Sequence, residues 1–211
     1  MKKTVLFALS CLLFAIPMKA QQNFNVVSSE RPVALSIVPN AGLNLSSFTG
    51  GDSGTRFSMR AGANAGVGAE LRFIKRNEHT PVIDGLLGVY VGASFEMGGT
   101  KASGGNGISM LNVGIPVLVK VYPLKWLFIE AGPEFFLNIS NSPNTTTIGN
   151  LEMNVGAHKA NDLKIGVGAG VKFANFGIGA RYLIGTSKFA SSAPWKCSIL
   201  QINLSYSIPV L

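Results

Sequence analysis

Along most of this chain apolar residues recur at every second position, a period that puts side chains on one face of a strand and scatters them around a helix. Leu200, Ile202, Leu204, Tyr206, Ile208 and Val210 alternate with Gln201, Asn203, Ser205 and Ser207. From Asp162, the residues Leu163, Ile165, Val167, Ala169, Val171 and Phe173 alternate with Lys164, Gly166, Gly168, Gly170 and Lys172. The same rule predicts eight strands, near 33–45, 57–73, 82–97, 108–122, 126–139, 162–173, 176–186 and 197–210. The expected fold is all-β: an eight-stranded antiparallel up-and-down barrel over residues 33–211.

Charge decides the medium. Charged residues make up 13% of the chain, against about 25% in a soluble domain. Yet no apolar run beyond the N-terminal region approaches the ~20 residues that a spanning helix needs. A closed barrel is the other structure that satisfies its backbone in lipid. The apolar faces of the eight segments carry no charged residue. The opposite faces carry Arg60, Glu70, Arg72, Asp84, Glu96, Lys120, Glu130, Glu134, Asp162, Lys164, Lys172 and Arg181, interleaved with glycines such as Gly66, Gly114 and Gly168. A soluble lipocalin-like barrel alternates in the opposite sense, with its apolar face inward. Six acids matched by six bases suit a narrow interior, where each buried charge needs a partner and a small neighbour to fold over. The barrel is therefore expected to be transmembrane, with these residues as a structural polar network inside. Glu70, Arg72, Asp84, Lys120, Glu130 and Lys172 should lie at similar height as a salt-bridged plug. Eight strands enclose only enough space for side chains, which argues against an open pore.

The first twenty residues read as an export signal: Lys2 and Lys3, an apolar run from Thr4 to Ile16, then Met18-Lys19-Ala20 before Gln21. Leu9-Ser10-Cys11 offers a rival, lipoprotein-like cut that would leave a short apolar core. Residues 21–32 are expected to be a short periplasmic segment. Removing Lys2, Lys3 and Lys19 leaves 15 basic against 10 acidic residues, a net charge of +5. These charges are scattered, without the basic run of a nucleic-acid surface. Cys197 is then the single cysteine, so no internal disulfide can form.

The connections alternate in character. Lys75 to Glu78, Pro123 to Lys125 and Ala174-Asn175 are short. Gly98 to Gly107 and Ser140 to Asn161 are long and rich in Gly, Ser, Thr and Asn. That asymmetry belongs to outer-membrane barrels and puts both termini at the periplasmic side. Tyr122, Trp126, Phe173 and Phe176 near the short turns, and Phe57, Phe95, Phe135 and Trp195 toward the long loops, suggest two interfacial girdles. Pro39, Pro116 and Pro133 fall inside strands, where each is expected to mark a bulge or bend.

Gly114-Ile115-Pro116 leading through Lys120 to Tyr122-Pro123, Glu130-Ala131-Gly132-Pro133, Gly166 through Phe173, and Gly179-Ala180-Arg181-Tyr182 together resemble the porin-like, PorT-type outer-membrane β-barrel family of Bacteroidetes. The resemblance covers most of the mature chain through short, degenerate motifs. It implies that these segments are barrel strands, and it implies a link to an apparatus that exports proteins across the outer membrane. Many outer-membrane barrels end on an aromatic residue; this chain ends Pro209-Val210-Leu211, with Tyr206 as an internal substitute.

Catalytic constellations are thin, and no cofactor or metal motif is present. His79 belongs to a short turn and His158 to the longest loop, so a site joining them is not expected. His158 with Ser140 or Ser142 is the one pairing suited to a lipid-modifying barrel enzyme. Glu130 and Glu134, four apart on one strand face, could form an acid/base pair. Beside Lys120, Lys172 and Arg181 they read more simply as ion-pair partners. Gly98-Gly99-Thr100-Lys101 lacks the spacing and following helix of a phosphate loop. The expected function is non-enzymatic: an envelope scaffold or binding protein working through its outer loops. The alternatives are a secretion accessory subunit, a soluble periplasmic ligand-binding barrel and a lipid-modifying enzyme. The expected partners are the lipid bilayer and other envelope or secretion proteins.

Overall fold

The computed structural model describes residues 33–49, 57–73, 87–102, 108–124, 126–142, 145–148, 151–154, 161–187 and 196–210. The export-signal region, the segment up to residue 32, the turn at 75–78 and Asp84 lie outside the described residues, as does the expected start of the third strand at 82–86. In chain order the strands are β1 (Val33–Thr49), β2 (Phe57–Phe73), β3 (Leu87–Ala102), β4 (Ile108–Leu124), β5 (Leu127–Ser142), β6 (Thr145–Ile148), β7 (Leu151–Asn154), β8 (Asp162–Phe173), β9 (Phe176–Gly185), β10 (Lys196–Tyr206) and β11 (Ile208–Pro209). Strands β1 to β5 and β8 to β10 pair antiparallel, each with its neighbour in sequence. Pairing of β1 with β10, from Asn40↔Ser205 to Thr49↔Lys196, closes the cylinder. The segment expected as one long loop, Ser140 to Asn161, contains the separate β6–β7 hairpin.

The alternation sets the faces. Leu43, Val67, Phe95, Ile129, Ile178 and Leu204 are exposed on the outer wall, and the opposite parity points into a filled interior. The apolar face is therefore outward, the reverse of a soluble lipocalin-like barrel. Strand β10 starts one residue earlier than expected, at Lys196, so an exposed charge does fall on the outward parity, at the end of the strand. A tilted strand needs ~10 residues to cross the hydrocarbon. Strands β1 to β5 run 16 or 17 residues, so they continue beyond the lipid. Ladder β4–β5 reaches Ser109↔Ser142, whereas β5–β8 stops at Phe136↔Asp162. The wall is thus taller on the β4–β5 side.

The prolines do not mark bulges. Register shifts fall elsewhere, between Met59 and Asn64, Leu111 and Asn112, and Val121 and Leu124. Pro39, Pro116 and Pro133 keep their partners Val67, Glu134 and Ile165 on one side. On the other side each sits in a gap of an unshifted ladder: β1 with β10 and β11, β3–β4 and β4–β5 respectively. In an antiparallel ladder a residue bonds to one neighbour only. A proline without its N–H therefore forfeits that one pair and leaves the register intact.

The β8–β9 connection is the two-residue turn Ala174-Asn175, and Ala174 adopts φ 52°. Glycine suits a positive φ at this turn position, and alanine pays a steric cost there. Ala174→Gly is expected to stabilise the barrel by about 1 kcal/mol, read as a higher urea midpoint for unfolding from micelles. Val167→Arg, in the middle of the outer wall, is expected to cost about 2–4 kcal/mol in lipid, read by unfolding from vesicles.

Candidate functional site: the polar interior

The short turns gather one end of the interior. Glu70 on β2 accepts hydrogen bonds from Lys120 Nζ at 3.1 Å and from the Tyr122 hydroxyl. Arg72 Nε stands 3.9 Å from Glu70 Oε1, with its guanidinium 3.9 Å from the Tyr122 ring centroid. Lys120 Nζ also reaches Glu130 Oε2 at 3.5 Å and lies 4.8 and 5.0 Å from the ring centroids of Tyr90 and Phe128. Across the barrel, Arg181 Nε donates to Glu130 Oε1 at 2.7 Å, and its Nη1 reaches Glu134 Oε2 at 3.4 Å and Gln201 Oε1 at 3.5 Å. Lys172 is half-buried and within electrostatic reach of Glu70, but makes no direct ion pair among the described residues.

Neutral groups carry the network onward. Glu96 Oε2 accepts from Asn44 Nδ2 at 2.6 Å and Gln201 Nε2 at 2.9 Å, and Glu96 Oε1 from Ser94 Oγ at 2.7 Å. Asn64 Nδ2 donates to Asn44 Oδ1 at 2.6 Å. Toward the long connections, Asn138 Nδ2 donates to Asn112 at 2.8 Å and to Asn141 at 2.9 Å. Lys164 there pairs with Asp162, donates to the Cys197 carbonyl at 3.2 Å and lies 4.9 Å from the Phe136 ring centroid. Arg60 is half-buried, its stem beside Gly99.

The structure thus brings together Glu70, Arg72, Lys120, Glu130, Glu134 and Arg181 in one ion-paired chain, links Glu96 to it through Gln201, and sets the Lys164–Asp162 pair next to its Glu134 end, Lys164 being the cross-strand partner of Glu134. The neutral members Asn44, Asn64, Ser94, Tyr90, Tyr122 and Gln201 were not expected in it. Their signal was parity, because each shares the in-facing positions of a charged neighbour in its own or an adjacent strand. Tyr122, expected in an interfacial girdle, is instead 1% exposed and points inside. Trp126, Phe173 and Phe176 do face outward near the short turns, as do Phe95 and Phe135 toward the other end. The side chains of Phe57 and Trp195 lie outside the described residues.

Aromatic rings share the lumen with the charges, and glycines make room for both. A Cβ on Gly68 would stand 2.5 Å from the Tyr90 ring, and one on Gly170 would stand 2.4 Å from Phe128. Among the described residues, interior spaces of about 40 and 30 Å³ lie between these side chains, each with room for a water or two. Cys197 is buried. Ser140 and Ser142 are exposed at the end of β5, while His79 and His158 lie outside the described residues. Among the described residues no three His, Cys, Asp or Glu side chains converge as metal ligands.

An apolar outer wall, a closed antiparallel ladder and a charged, filled interior define a β-barrel that lives in a membrane. Residues 20–190 match the outer membrane protein beta-barrel domain, and the chain belongs to that family. Among curated proteins none matches it in sequence. It is similar in fold to several solved barrels. Neisserial surface protein A is 14% identical, with 81% of this chain and 96% of that chain covered and a TM-score of 0.43. The outer membrane enzyme PagL is 18% identical, with 84% and 99% covered and a TM-score of 0.40. Ail, the attachment invasion locus protein of Yersinia pestis, solved with the heparin analogue sucrose octasulfate, is 14% identical, with 84% and 100% covered and a TM-score of 0.38.

Removing one partner from a buried ion-paired chain strands the other charge. Arg181→Met is therefore expected to cost about 3–5 kcal/mol, and Tyr122→Phe about 2 kcal/mol through its bond to the charged Glu70. Urea unfolding in micelles checks both.

Proposed function

We propose that this protein is a non-enzymatic component of the outer membrane, a scaffold or binding protein that acts through the segments outside the bilayer. The observation that carries this reading is the filled lumen. The ion-paired chain from Arg72 to Glu134 crosses it, and spaces found beside it among the described residues are only about 40 and 30 Å³. A solute would have to break several buried charge pairs to pass, so the barrel serves as a platform and not as a conduit. The tall β4–β5 wall and the β6–β7 hairpin stand at the end with the long connections, where a partner is met. In this reading both termini lie in the periplasm, because an even number of strands returns the chain to its starting side and the tight turns share that side.

Trypsin added to intact cells tests the orientation. It should cut at Lys159 or Lys188 in the long connections and leave the Lys125 turn whole. Cleavage at Lys125 alone would reverse the assignment. Vesicles reconstituted with the protein should exclude small sugars and amino acids, and rapid swelling in them would overturn the platform reading. An activity on lipopolysaccharide or phospholipid that disappears in His158→Ala would replace it with a lipid-modifying enzyme. The narrower role of secretion accessory rests on the motifs from Gly114 to Pro133 and from Gly166 to Tyr182. It requires co-purification with large envelope partners in mild detergent.

A further inference from the structure

The apolar outer wall is taller on one side of the barrel than on the other. A circuit of paired residues that leaves β1 at Leu43 passes Ile202, Ala180, Ala169, Ile129, Val121, Leu87 and Phe73. It returns to β1 at Val33, ten residues nearer the short-turn end. Paired residues therefore climb the cylinder as a spiral, by a little over one residue per strand, rising from β5 through β8, β9 and β10 to β1. Ala131, Val167, Tyr182, Leu200 and Leu45 follow one such path. Three steps of climb bring Leu200 on β10 level with Phe135 on β5. A fourth brings Ser47, two residues above Leu45 on the wall across from β5, to a height between Leu137 and Ile139.

Above that level the two sides differ in chemistry. On β10 the outward positions are Ser198 and the exposed Lys196, whereas on β5 they are Leu137 and Ile139, 42% and 45% exposed. The neighbours of β10 follow it: β9 and β1 pass from Ile184 and Leu45 to Thr186 and Ser47. In the same half of the barrel as β5, β2 and β3 instead carry Met59 and Met97, 68% and 53% exposed. At roughly 2.5 Å of height per residue on a tilted strand, the apolar face of β5 overtops that of β10 by about 10 Å. No polar side chain interrupts the outward positions from Ile129 to Ile139, so this shoulder is one surface with the wall that faces lipid.

A rigid cylinder with a long side and a short side cannot match one bilayer while upright. Upright, it either leaves the shoulder in water or draws Lys196 toward the hydrocarbon, and each is costly. Excess apolar length is relieved by tilt. We propose that acyl chains of the leaflet at the long-connection end cover the shoulder of Met59, Met97, Leu137 and Ile139. The barrel then leans toward its β2–β5 half and lifts Lys196 clear. The lean is the same whichever leaflet the long connections occupy.

Spin labels on the full barrel in phosphatidylcholine vesicles test this. In a Cys197→Ser background, checked as folded by heat-modifiable gel mobility, single labels are placed through Ile139→Cys on the shoulder, Ser47→Cys across the barrel, and Leu200→Cys. The label at Ile139→Cys should relax several-fold faster with dissolved oxygen than with a water-soluble nickel chelate, and the label at Ser47→Cys should show the reverse. Met97→Asn combined with Leu137→Asn should right the barrel, so that the label at Leu200→Cys sinks and meets more oxygen. Equal nickel access at the first two positions would overturn the proposal, because the shoulder would then stand in water. Shielding of the Ile139→Cys label from both reagents would overturn it too, assigning the shoulder to a protein surface, a second copy included. So would a Leu200→Cys label that ignores the two asparagines.

Discussion

In hydrocarbon, each N–H or C=O left without a partner costs several kcal/mol, and everything else in this molecule is subordinate to that. The ladder from β1 around to β10 and back to β1 meets the demand by having no edge. Closure fixes the number of strands around the cylinder, and the number fixes the width. The width in turn dictates that in-facing side chains touch across the lumen. The outer wall has the simpler task of being apolar, and Leu43, Val67 and Ile178 need no particular shape to do it.

The interior is therefore where sequence detail matters. Buried charges are tolerated because each meets an opposite charge or an oriented amide: Glu130 between Lys120 and Arg181, Glu96 beneath Asn44 and Gln201. Large rings fill what the charges leave, and glycines opposite them keep the strands from being forced apart, as Gly68 does for Tyr90. Such a core differs from that of a soluble protein. It contributes rigidity and a unique register, since sliding one strand by two residues would separate Glu130 from Arg181 and press Phe128 against a new partner.

The barrel was legible in the sequence because period-two alternation and charge segregation are properties of single strands. The charged members of the interior were legible for the same reason. Their partners were less so. Tyr122 reads as interfacial because an aromatic residue next to a turn ordinarily sits there, and only the position of Glu70 on β2, fifty-two residues away, shows why its hydroxyl turns inward. The prolines misled in an informative way. Local rules forbid them in a paired strand, yet each loses a single rung, and a cylinder with many rungs carries that loss. The ends of β1 and β4 were placed short because their last residues, such as Ser47 and Pro123, carry no alternation, although their ladders continue beyond the lipid.

One of those missing rungs lies on the closing seam. Strand β1 meets β10 from Asn40 upward and β11 at Ser36 and Ile37, and between them Pro39 has nothing to give to the last strand. The first and last strands of the chain are thus joined along a line already nicked near its periplasmic end in the proposed orientation. A zip opens from its weakest tooth. If the cylinder ever parts sideways, during assembly in the membrane or under load, the tear has a preferred origin, and it lies where the first and last strands of the barrel meet.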